Sequence, residues 1–250
     1  GNALADIRQN QLAVKLIEAP CWPTSIAAPR VWFGEPVAIK DPTGVTLHRQ
    51  SGANLLAVGQ RDDVALAMLA TAMLCLGSQH TPQTARFVIL GGPAAENATA
   101  GGLQNVAALL PHPIKWVEWR EVPDAIAELA AEVQRRIEHG SGDEPTVYLL
   151  IYGLQHYRVL RRREDSFSFS PSNEDGPPAT DRQFAELLRE GPPLGLHVFV
   201  WSDTLATLER TLDRQSLREF DNRILFQMSS ADSSNLIDSP GLFEHNHQLV

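Results

Sequence analysis

An α/β fold with a mostly parallel sheet, covered by helices on both faces, is what this sequence predicts, and three observations carry the prediction. Strand-like and helix-like stretches alternate from about residue 54 onward. The strand-like stretches are nearly continuous apolar runs, as strands buried on both faces require. The first of them, Asn54–Val58, ends on Gly59 and crosses a short polar turn into a long apolar helix, so functional residues should stand just beyond the strand ends, where such sheets bind ligands.

Taken in order, Ala3–Ile17 has helical apolar spacing at Leu4, Ile7, Leu12 and Leu16, and the prolines from Pro20 to Pro29 end any regular element. Residues 1–30 are read as a connecting arm ahead of one domain over 31–250. Val31–Leu47 reads as short strands separated by turns at Gly34-Glu35-Pro36 and Asp41-Pro42-Thr43-Gly44. Strands are then expected at Asn54–Val58, Arg86–Leu90, Ile114–Trp119, Thr146–Tyr152, Leu196–Trp201 and Arg223–Met228. Helices are expected at Asp62–Gln79, Gly102–Leu110, Pro123–His139, Arg182–Glu190 and Leu205–Phe220. The Pro123–His139 segment is amphipathic, with Ile126, Leu129, Val133 and Ile137 on one stripe and Glu128, Glu132, Arg135 and Arg136 off it. Residues 161–180, rich in arginine, serine, proline and glycine, read as a long surface loop.

The 250 residues, 43% apolar, suffice for one sizeable core. A net charge of −9 argues against nonspecific nucleic-acid binding over the whole surface. Cys21 and Cys75 have no metal-type spacing and read as reduced thiols of a cytoplasmic protein. No apolar run is long enough to span a bilayer, and no membrane contact is expected from this segment. Gly1 stands where an initiating Met would, so the chain is expected to begin inside a longer polypeptide or to have a processed or engineered start. The sequon Asn97-Ala98-Thr99 carries no meaning in a cytoplasmic setting.

Strand, glycine turn and apolar helix together have the shape of a phosphate-binding loop, G-x-x-x-x-G-K-[ST], in which backbone N–H groups cradle phosphates, the lysine reaches them and the hydroxyl holds Mg²⁺. The segment here is Gly59, Gln60, Arg61, Asp62, Asp63, Val64, Ala65, Leu66, so the last glycine, lysine and hydroxyl positions hold Val64, Ala65 and Leu66. Asp62 and Asp63 would face a polyanion, each at a cost of about 1–4 kcal/mol, with Arg61 offsetting one of them. After Thr146–Ile151, where a phosphate-hydrolysing site places acidic groups for Mg²⁺ and water, the chain carries Tyr152 and Gly153. Neither binds a hard cation.

Ser202-Asp203-Thr204 would contact a phosphate or a water, or cap the helix starting near Leu205. Arg223 could serve a neighbouring nucleotide as an arginine finger or act as a surface ion-pair partner. Arg158, Arg161, Arg162 and Arg163 form the one strong basic cluster, either a solvated surface or a contact to nucleic-acid phosphates in a ring channel. His245 and His247 lack further ligands for a metal, and a hydrolase arrangement of Ser202, Asp203 and His156 lacks a nucleophile elbow. No catalytic residue and no metal ligand is assigned.

With Gly34-Glu35-Pro36-Val37, Arg189-Glu190-Gly191-Pro192-Pro193-Leu194-Gly195-Leu196-His197 and Asn222-Arg223-Ile224 through Asp232-Ser233-Ser234-Asn235-Leu236-Ile237-Asp238, the chain resembles the FtsK/SpoIIIE family of HerA-FtsK ring ATPases over roughly residues 31–240. The resemblance implies a three-layer, RecA-like P-loop NTPase fold. It also implies kinship with ATP-driven hexameric motors that move double-stranded DNA, as in cell division, or handle protein substrates in type VII secretion. The departures at Val64, Ala65, Leu66, Tyr152 and Gly153 predict a hydrolysis-deficient module of a larger protein with tandem ATPase modules, serving a structural, regulatory or substrate-recognition role. No resident cofactor is expected on this reading. The alternative is an ATP- and Mg-binding DNA translocase module of a ring oligomer, its nucleotide contacts coming from other residues or a neighbouring subunit. A third class, a free-standing enzyme using the Ser202–Asp203 edge, has the least in its favour.

Overall fold

The apolar runs assemble, in the computed structural model, into one parallel sheet. The structure describes residues 8, 10–23, 28–34, 43–91, 101–140, 142, 144–162, 179–226 and 236. The readings placed on Glu35–Val37, the Asn97 sequon, Arg163, most of the 161–180 loop, Asp232–Asn235, His245 and His247 lie outside these residues.

Helix α1 (Gln11–Ile17) is followed by strands β1 (Arg30–Gly34) and β2 (Thr43–Thr46), which pair antiparallel as a separate hairpin. The main sheet then builds from β3 (Leu55–Val58), α2 (Asp62–Gln79), β4 (Ala85–Leu90), α3 (Gly101–Leu109), β5 (Ile114–Val117), α4 (Val122–His139) and β6 (Thr146–Tyr152). It closes with α5 (Thr180–Glu190), β7 (Leu196–Ser202), α6 (Leu205–Thr211), α7 (Arg214–Arg218) and β8 (Asn222–Leu225). The order is β5-β4-β6-β7-β3-β8 and each pairing is parallel.

Alternation along the strands divides the core in two. Leu56, Val58, Val88, Leu149 and Val198 face α4, α5 and α6, whereas Leu55, Ala57, Phe87, Tyr148 and Phe199 face α2, α3, α1 and the β1–β2 hairpin. The result is the three-layer α/β architecture that the sequence predicts. No described helix is long and apolar enough to cross a membrane.

Local chemistry explains most boundaries, and two differences from the sequence reading have clear causes. The helix expected at Leu205–Phe220 is two helices, because Leu212 turns extended (φ −112°, ψ 135°) and the Asp213 carboxylate caps a new turn by accepting from Ser216 N at 2.7 Å. On α4 the buried stripe is Ile126, Leu129, Val133 and Arg136, while Ile137 is 49% exposed. Burial of each of the three apolar side chains contributes about 1.5–3 kcal/mol. Arg136 displaces Ile137 from the interior because its guanidinium meets Leu194 O at 2.8 Å, Pro145 O at 2.9 Å and the Glu132 carboxylate. Its Nε lies 3.0 Å from Glu144 Oε2 as an ion pair without hydrogen-bond alignment.

Asn54, fully buried just ahead of β3, is a second anchor that no periodicity reveals. Its amide nitrogen donates to Leu188 O at 2.9 Å and Glu219 O at 2.8 Å, and its side-chain oxygen accepts from Val198 N at 2.8 Å. One side chain thereby ties β3 to β7 and to the ends of α5 and α7.

Candidate functional site

Two neighbouring strands, β3 and β7, send the chain to opposite faces of the sheet at their carboxyl ends, the first into α2 and the second into α6. Such a switch point is where an open α/β sheet offers a crevice to a ligand. Gly59, Gln60, Arg61, Asp62, Asp63, Tyr152, Gly153, Ser202 and Asp203 all gather here, at the ends of β3, β6 and β7.

The β3–α2 connection consists of Gly59, Gln60 and Arg61 alone, since the helix begins at Asp62. Gly59 is fixed on three sides. Its N–H donates to Ser202 O at 3.0 Å, its carbonyl accepts from Trp201 Nε1 at 2.9 Å, and a Cβ on it would lie 2.6 Å from Phe226 Cβ. With φ at +139°, the position suits glycine on conformational grounds as well. Gln60 is exposed. Counted as a phosphate loop, Val64, Ala65 and Leu66 fall inside α2, where Val64 is half-buried and Ala65 and Leu66 are buried in the core at 0% and 5% exposure.

The one cation at this helix start is already taken. Arg61 Nε and Nη2 donate to the two Asp63 oxygens at 2.8 and 2.7 Å, and Asp62 accepts from Asp63 N at 2.8 Å. The hydrogen bond from Arg61 is the main reason the Asp63 carboxyl is pulled down to about 2. Acidic groups in a first helical turn complement the macrodipole just as a bound anion would.

Tyr152 leaves β6 toward the α2 side and stacks on Trp201, ring centroids 4.8 Å apart. Burial, and then the charges of Asp62 and Asp63, raise its phenol above the ordinary range. Gly153 is left-handed (φ 83°), and a Cβ on it would meet the His156 ring at 2.5 Å. Ser202 is fully buried and donates to Thr204 O at 3.2 Å. Thr204 caps α6 by accepting from Thr207 N at 3.3 Å, and Asp203 accepts from the Thr207 and Thr204 hydroxyls at 2.8 and 3.2 Å. These bonds give Ser202-Asp203-Thr204 a capping role at α6, and His156, exposed, has no bond to Ser202 or Asp203 among the described residues.

Arg223 lies apart from this edge. All three of its guanidinium nitrogens donate to main-chain carbonyls, Nε to Phe220 at 3.0 Å, Nη1 to Leu236 at 2.7 Å and Nη2 to Leu217. An arginine so engaged fastens the end of α7 to β8. Arg158, Arg161 and Arg162 follow β6 through two single-turn 3₁₀ segments, Leu154–His156 and Arg158–Leu160, and the Arg162 N–H donates to Arg210 O at 3.1 Å. No group of three or more His, Cys, Asp or Glu side chains suited to a metal ion occurs among the described residues.

Solved structures of type VII secretion ATPases share this fold. The cytoplasmic domain of EssC superposes with a TM-score of 0.58 at 12% identity, over 85% of this chain and 39% of that one. The cytoplasmic domain of the type VII secretion ATPase EccC of Thermomonospora curvata gives 0.56 at 18% identity, over 86% and 26% of the two chains. ATPases 2 and 3 of the same EccC, in complex with a signal sequence peptide, give 0.57 at 20% identity, over 84% and 38%. The chain therefore spans well under half the length of these structures. No family model and no curated protein matches the sequence.

Proposed function

We propose that this chain is a nucleotide-independent module on the P-loop ATPase fold, part of a larger polypeptide, which docks on ATPase modules of that polypeptide in a structural, regulatory or substrate-recognition role. The single observation that carries the reading is the three-residue connection Gly59–Arg61 running into Asp62 and Asp63. A phosphate cradle needs a loop long enough to wrap the anion with free N–H groups and a cation to meet it. Here the glycine N–H is bonded to Ser202, the arginine to Asp63, and the helix start presents two carboxylates. Tyr152, stacked on Trp201, stands where a metal-holding carboxylate would.

The similar structures support the setting: two are cytoplasmic domains, and one spans ATPases 2 and 3 of EccC. A cytoplasmic location and tandem ATPase partners are inferred for this chain on that basis. One of those structures holds a signal sequence peptide, which favours protein over DNA as the cargo such a module would help to select.

Calorimetric titration with Mg·ATP, with ADP and with ATP lacking the metal tests the reading. No heat up to about millimolar nucleotide is the expected result, against the roughly micromolar affinity of a working site. Micromolar, Mg²⁺-dependent binding would overturn it and restore the ATP-driven translocase alternative.

A further inference from the structure

The segment after β6 and the α6–α7 pair, distant in sequence, meet on one surface and bring together arginines that local sequence keeps apart. Arg162 N donates to Arg210 O at 3.1 Å, which joins the 158–162 turns to the end of α6. Asp213, the next acidic residue, has its carboxyl lowered first by the hydrogen bond from Ser216 N and also by the Arg162 charge, which puts α7 beside the same arginine. Arg214 and Arg218 are one helical turn apart and share a face of α7. Arg158, Arg162, Arg210, Arg214 and Arg218 are exposed and Arg161 is half-buried. None of the six has an ion pair among the described residues.

The surface is rigidly mounted. Leu160, Leu208 and Leu212, from the same segments, are buried in the core below it. Acidic residues in these segments are Glu209 and Asp213, and the second is spent as the α7 cap. In a chain of net charge −9, these guanidinium groups, without an ion pair among the described residues, form a local basic exception.

We infer that this surface docks an acidic segment of polypeptide, its carboxylates taken by the arginine forks. Elsewhere on the same chain, guanidinium forks take carboxylates with two bonds, Arg61 on Asp63 and Arg135 on Glu144. Nucleic acid fits less well for three reasons. Single strands are held largely by stacking on exposed rings, and the one Phe, Tyr or Trp in these segments, Tyr157, is buried, which leaves His156 alone exposed. α6 and α7 are seven and five residues long, short for entry into a groove. A long duplex would also feel the negative charge of the rest of the chain. The inference is independent of whether nucleotide binds at the carboxyl edge.

Fluorescence anisotropy on the full chain decides it, with three labelled probes: a Glu/Ser peptide of about twelve residues, a Gly/Ser peptide of the same length, and a DNA duplex of about twelve base pairs. The acidic peptide should bind, weaken about tenfold or more between roughly 50 and 300 mM salt, and weaken about tenfold or more again in R162Q/R210Q/R214Q. Arg189→Gln, on the exposed face of α5, should leave binding within about twofold. Thermal melting of the triple variant, read beside the binding, separates loss of the site from loss of the fold. If that variant melts early, Arg214→Gln with Arg218→Gln, both confined to α7, replaces it and should weaken the peptide in the same direction. Equal affinity for the neutral peptide, tighter binding of the duplex, or arginine variants that bind as well as the parent would each overturn the inference.

Discussion

The two ends of the sheet use polar side chains in opposite ways. At the amino end, buried groups reach far along the chain. Arg136 binds the carbonyls of Pro145 and Leu194, Asn54 binds Leu188, Val198 and Glu219, and His197 donates to the Ala53 carbonyl at 2.8 Å. At the carboxyl end, where a ligand would sit, the side-chain bonds are mostly between near neighbours, Arg61 with Asp63 and Asp203 with Thr204 and Thr207. The first set holds elements together, and the second satisfies the site from within. A fold can keep its framework while its crevice is filled by local capping chemistry.

That contrast breaks first, and most severely, at Arg136. Arg136→Ala removes a cation that is 1% exposed and leaves the Leu194 and Pro145 carbonyls without its hydrogen bonds, while Glu132 and Glu144 keep Arg86 and Arg135. A loss of about 2–4 kcal/mol is expected in denaturant unfolding, from the lost charge-assisted hydrogen bonds and the space that the side chain leaves. A loss below about 1 kcal/mol would mean that the amino-end network is ornamental.

Acid probes the same end more gently. Burial, with repulsion from His112, His197 and Arg49 behind it, lowers His80 to about 4, and burial lowers His197 to about 4. Both rings are folded in the neutral form, so the unfolded chain binds more protons below its own histidine pKa of about 6.5. The stability they contribute is complete above that value and declines as the pH falls from about 6.5 toward 4, by a few kcal/mol in all. Denaturation midpoints between pH 7 and pH 5 would check it, and a flat profile would contradict the buried neutral assignment.

The smallest effect belongs to the carboxyl end. Arg61→Ala should leave stability essentially unchanged in denaturant unfolding, since the pair lies in solvent. The Asp63 carboxyl resonance should nonetheless move from a titration midpoint near 2 toward about 3.9 in that variant. An unmoved midpoint would show that Arg61 is not what occupies Asp63.

Much of this framework was legible in the sequence, because parallel strands write themselves as apolar runs. Thr146–Tyr152 and Asp62–Gln79 coincide with the structure, and Gly59 stands at the turn that its φ requires. What stayed hidden was side chain to main chain bonding across long separations. Arg136 looks like a solvent-facing charge until Leu194 and Pro145 are brought beside it, and Arg223 has the sequence profile of a free arginine. Arg210, Arg214 and Arg218 stayed hidden because a long-range main-chain bond, Arg162 N to Arg210 O, is what brings α6 to the 158–162 turns, although the one-turn spacing of the last two was a signal in the sequence.

The position of β3 also sets an order of events in the making of the protein. Its hydrogen-bonding neighbours are β7 and β8, whose residues follow it by well over a hundred positions, as in the pairing of Leu55 with Phe199 and with Asn222. At a synthesis rate of roughly 5–20 residues per second, β3 waits on the order of ten seconds or more for the strands that flank it. A nascent chain stopped short of β8 would leave β3 as a bare edge.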